Sequence, residues 1–183
     1  MIPFRVALAW TDNRDIDKAQ EYAKRVQDRL RQISQGQWAV EVRAYLVEDM
    51  GAPGLNRFNY RRFSEFVDEN DDFDPTHWLS VGGWHSGNCG EAKAGGKTSH
   101  AQRRCSPETG VHELLHNGVT RSRHLLHSGL ERDEYGEGTL MGRFKRHDLS
   151  GPHLYQAGLI EPERINLDES RTVFLIQPSS EDA

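Results

Sequence analysis

His112-Glu113-Leu114-Leu115-His116 places two imidazoles four residues apart, with a carboxylate next to the first. On a helix, residues four apart stand one turn apart on the same face, so both rings can reach one ion. Glu113 then projects beside that ion and can accept a proton from a bound water. The pattern is short enough to arise by chance on an ordinary exposed helix, so its surroundings decide what it means. Ser106-Pro107-Glu108 supplies a capping hydroxyl, a proline for the first helical position and an acid for the first turn. Val111, Leu114 and Leu115 supply an apolar stripe, and Gly118 supplies a stop. Most of the nine histidines lie between His85 and His153, so further metal donors surround the motif. The chemistry these residues suggest is metal-assisted hydrolysis.

The rest of the chain must build a frame for that helix. Phe4, Val6, Leu8 and Trp10 alternate with smaller or polar residues and predict a strand. Thr11-Asp12-Asn13 offers caps for a following helix. Its apolar stripe is Ile16, Ala19, Tyr22, Ala23, Val26, Leu30 and Ile33, and it should end near Gly36. A second strand is expected over 37–48, a short helix around Tyr60 to Val67, and a buried strand from His77 to Gly83. Residues 68–75 hold four Asp and one Glu but lack the central glycine of a calcium loop, so a solvated turn is expected. Residues 82–96 hold six glycines without phosphate-loop spacing, which suggests a close backbone approach or an edge flanking a substrate. Val119 to Gly142 should be mostly loop and Leu154 to Leu159 a short helix, with strands at 164–167 and 172–177. No repeat or linker interrupts the 183 residues, so one domain is expected.

Composition narrows the partners. Lys and Arg total 23 against 28 Asp and Glu, a net charge of -5 without a long basic run, so a nucleic-acid partner is not expected. Mean hydropathy is -0.77, and no stretch approaches the ~20 apolar residues of a membrane span. The first residues show no basic region followed by an apolar one, so they read as carrying no secretory signal. A secreted mature form and a cytoplasmic or virion setting both stay open. Cys89 and Cys105 are the only cysteines, and the sequence permits either one disulfide or two thiols.

Downstream, Tyr135-Gly136-Glu137-Gly138-Thr139-Leu140-Met141-Gly142 follows His127-Ser128-Gly129. A Met-Gly pair after an HExxH helix resembles the Met-turn of metzincin peptidases. Together with HELLHN, the segment resembles the catalytic core of gametolysin-like metzincins and is similar to secreted bacterial peptidases of the immune inhibitor A type. Residues 150–160 are similar to the helix those families place after the Met-turn. The resemblance covers 111–160, about a quarter of the chain. It implies an α+β, metzincin-type fold: a twisted mixed sheet packed on helices, with the HExxH active-site helix and a Met-turn. Residues 1–118 would form an upper subdomain with the sheet and that helix. Residues 119–183 would carry the third ligand, the Met-turn and the C-terminal helix and strands.

The resemblance also implies Zn2+ held by His112, His116 and a third histidine, with Glu113 as general base and Met141 packing beneath the metal. Metzincins place the third histidine six residues after the second, but here that position is Ser122 and Gly118 comes one residue early. Its HSG context favours His127, with His124 as the alternative and Glu134 behind them. Tyr135 or Tyr155 could assist the oxyanion. The expected activity is that of a zinc-dependent endopeptidase acting on protein or peptide substrates, with a monomer expected and the oligomeric state left open. The alternatives are a zinc hydrolase of a non-peptide amide and an inactive metzincin-like structural or binding protein. An intact Glu113 argues against the last.

Overall fold

A computed structural model describes residues 1–11, 15–52, 54–83, 89–119, 141, 154 and 157–159, together with the backbone of 163–168 and 171–175. Among the described residues the fold is α+β, with a mixed five-stranded sheet and three helices. The sheet begins with β1 (Ile2–Trp10), which pairs in parallel with β2 (Trp38–Leu46) on one side and β3 (His77–Gly82) on the other. β3 pairs in parallel with β5 (Thr98–Gln102), and β4 (Gly90–Ala92) lies antiparallel to β5 at the edge. The order is β2-β1-β3-β5-β4. Parallel neighbours need long crossovers, and α1 (Ile16–Ser34) and α2 (Tyr60–Asn70) lie in the first two.

The alternation of β1 separates two cores. Phe4, Val6, Leu8 and Trp10 pack with Tyr22, Val26 and Leu30 of α1 and with Val111, Leu114 and Leu115 of α3 (Pro107–Asn117). Ala7 and Ala9 point the other way, toward Phe58, Phe63 and Val67. Helices on both faces therefore bury the central strand from Val6 to Trp10, and the small alanines admit the aromatic cluster on the α2 side.

Several details correct the sequence reading. The side chain capping α1 is that of Asp15, whose carboxylate accepts from Lys18 N at 3.1 Å; it is not one of the Thr11–Asn13 group, and residues 12 and 13 lie outside the described set. The acidic run does not form one solvated turn. Its first residues extend α2 through Asn70, while Asp71 accepts from Tyr45 Oη at 2.7 Å and Arg43 Nη1 at 2.6 Å. β5 lacked a strand signal because only Ala101 among its residues is apolar; Ser99, His100 and Gln102 are nonetheless buried. At the other edge, Gln27 Oε1 accepts from Val42 N at 3.0 Å and Arg31 Nη2 donates to Val40 O at 2.9 Å. These α1 side chains cover outward backbone groups that would otherwise invite another strand.

Cys89 and Cys105 form a disulfide, which answers a question the sequence left open. β6 (Glu163–Asp168) and β7 (Arg171–Leu175) form a separate antiparallel pair, close to the expected strands. Leu154 is helical, Ala157 to Leu159 form a turn, and Gln37 Nε2 donates to Leu159 O at 2.7 Å. No helix among the described residues is long and apolar enough to cross a membrane.

Candidate metal centre

α3 forms where its signals predict it, with Pro107 in its first turn and Gly118 at its C-cap. Ser106 occupies the N-cap, although its hydroxyl makes no capping bond to the helix amides. The helix is buried all round except at Glu108, so packing rather than one-sided amphipathicity holds it. Gly110 permits the close fit. A Cβ there would lie 3.1 Å from Tyr22 Oη and 3.2 Å from Leu79 Cδ2, where α1 and β3 press on the helix.

The two histidines meet as their spacing requires. His112 Nε2 and His116 Nε2 are 3.1 Å apart, with ring centroids at 4.7 Å and planes crossed at 87°. One donor atom from each of His112, Glu113 and His116 lies within 4.8 Å of the others, and all three residues are buried. Two nitrogens bound to one tetrahedral zinc at roughly 2.0–2.1 Å lie about 3.3 Å apart, so the observed separation fits a shared ion. The group can hold a metal ion.

A second set of contacts fixes the helix that carries these residues. The hairpin of β4 and β5 lies along it. Gly95 N donates to His116 O at 2.9 Å, and Asn117 Nδ2 donates to Lys93 O at 2.9 Å and Thr98 O at 3.2 Å. The Ser99 hydroxyl faces Asn117 Oδ1 and the Glu113 carbonyl. His77 Nε2 lies 2.8 Å from the carbonyl of Gly118. A carbonyl only accepts, so the neutral ring carries its proton on Nε2 and Nδ1 accepts from Thr76 Oγ1 at 2.8 Å. Burial pushes the His77 imidazole down to about 4, with Lys97 adding to the effect, while the Gly118 bond opposes it.

Of the expected site residues, the structure brings His112, Glu113 and His116 together. His127, its alternative His124, Glu134, Tyr135 and Tyr155 lie outside the described residues. So does the chain flanking Met141; the residue itself is buried in the cluster that contains Val111, Leu114 and Leu115. Sequence reasoning missed Ser99, Asn117 and His77, which are buried polar residues recognisable only by what they bond. The glycine-rich stretch did signal a close approach, and β4 lies within it. In comparisons with known proteins, no family model and no curated sequence matches the chain.

Proposed function

We propose that the protein is a zinc-dependent endopeptidase of the metzincin type. The observation that carries this reading is the buried group of His112, Glu113 and His116 on α3, with the two Nε2 atoms 3.1 Å apart. The sequence resemblance over 111–160, which includes these three residues, also supports it. His112 and His116 would hold zinc through neutral imidazoles, and His127 would complete the set. When bound, zinc supplies a Lewis acid that lets water ionise near neutral pH and polarises the scissile carbonyl. Glu113 takes the proton from the attacking water and later delivers it to the leaving amine. The substrate would be a protein or peptide chain.

The test pairs metal content with one substitution. Protein prepared without chelators should contain about one zinc per chain. Glu113→Gln should retain that zinc and the fold, while kcat on a peptide substrate falls by roughly 10²–10⁴. Failure to bind added zinc, or near-full turnover by Glu113→Gln, would end this reading.

A further inference from the structure

Gly90 opens β4 and pairs there with Ala101 of β5. A Cβ on Gly90 would lie 2.6 Å from both Cγ and Oε1 of Glu113 and 2.8 Å from its Cδ. Optimal carbon–carbon contact is at roughly 3.5–4.0 Å, so no side chain fits there unless something moves. The missing Cβ thus leaves the space in which the Glu113 side chain lies.

Which side would yield follows from how the hairpin is held. At its tip, Gly95 N donates to His116 O at 2.9 Å and Asn117 Nδ2 to Lys93 O at 2.9 Å. At the start of β4, Gln102 N donates to Cys89 O at 2.8 Å, and Cys89 is bonded to Cys105, next to the N-cap of α3. The strand is therefore tied to the α3 region at both ends and cannot easily withdraw. Glu113 can turn about its own single bonds.

We propose that Gly90 is a positioning residue for Glu113. Its bare backbone selects the rotamer that keeps the carboxylate beside His112 and His116, and a larger residue turns the carboxylate away. The kinetic consequence rests on Glu113 being the general base; the packing consequence does not.

The experiment compares Gly90→Ala, Glu113→Ala and the double variant, all zinc-loaded, by thermal unfolding and zinc titration. Gly90→Ala should lower Tm by about 2–4 °C in the wild-type background and leave it unchanged in the Glu113→Ala background, where the shorter side chain leaves room. Zinc stoichiometry should be the same in all four proteins. An equal Tm loss in both backgrounds overturns the proposal, because the glycine then serves the strand alone. If Gly90→Ala does not fold by itself, recovery in the double variant supports the proposal and failure of both overturns it. On a peptide substrate, Gly90→Ala should lower kcat roughly 10–100-fold, with KM changed less than about twofold. Full kcat in Gly90→Ala, beside an inactive Glu113→Gln, overturns the positioning role and leaves the peptidase reading standing. Full activity in Glu113→Gln overturns the peptidase reading, and the thermal coupling between the two positions still decides the packing claim.

Discussion

His77 closes the end of α3: its Nε2 donates to the carbonyl of Gly118 at 2.8 Å, across 41 residues of sequence. The ring also stacks on Phe4, with centroids 4.1 Å apart. The start of β3 is thereby tied to the point where the chain leaves α3.

The burial of this ring predicts a pH dependence. The His77 pKa falls from 6.5 to about 4 on folding, so between those values the unfolded chain binds the extra proton and the folded one does not. Stability from this residue is complete above about pH 6.5, falls as pH drops toward 4, and levels off below; the full loss is about 3 kcal/mol. In urea unfolding from pH 4 to 7, His77→Gln should be less stable at neutral pH yet show a shallower decline. Parallel curves for the two proteins would show that His77 does not set the slope.

Asn117 gives a second test, because one buried side chain joins α3 to the tip of the hairpin at Lys93 and to β5 at Thr98 and Ser99. Asn117→Ala leaves the Lys93 and Thr98 carbonyls without their side-chain donor and should cost about 1–3 kcal/mol in chemical denaturation. A change below about 0.5 kcal/mol, the range of ordinary surface substitutions, would mean that the hairpin is held by other contacts.

The disulfide closes a loop with a sequence separation of 16 residues. Cross-linking a loop of that size stabilises the folded state by about 3 kcal/mol in the chain-entropy account. Reduced protein, or the double variant Cys89→Ser with Cys105→Ser, should lose an amount of that order in guanidinium unfolding. Unchanged unfolding on reduction would show that the β4–β5 hairpin is held without it.

The third ligand is the widest test of the proposed function. His127→Ala should weaken zinc binding by more than about 100-fold, since even the partners behind metal ligands account for 10–100-fold. His124→Ala should change it little. The zinc-dependent rise in Tm should shrink in the same variant, because metal binding favours the folded state. If His124→Ala is the damaging change, the ligand lies three residues earlier. If neither matters, the metzincin assignment fails.

The sequence by itself determined the elements whose signals are local. The stripe of Ala19, Tyr22, Val26 and Leu30, the alternation of Phe4 to Trp10, and the proline and glycine bounding 107–117 each act within a few residues. The approach of His112 to His116 was legible for the same reason, since helical pitch alone puts residues four apart on one face. Only the tertiary structure decided that polar Thr98–Gln102 is a buried strand, that Cys89 joins Cys105, and that Gly90 lies against Glu113. Those outcomes depend on strand order and register between segments well separated in the chain. Backbone hydrogen bonds and steric fit set them, and neither leaves a periodic trace in residue type.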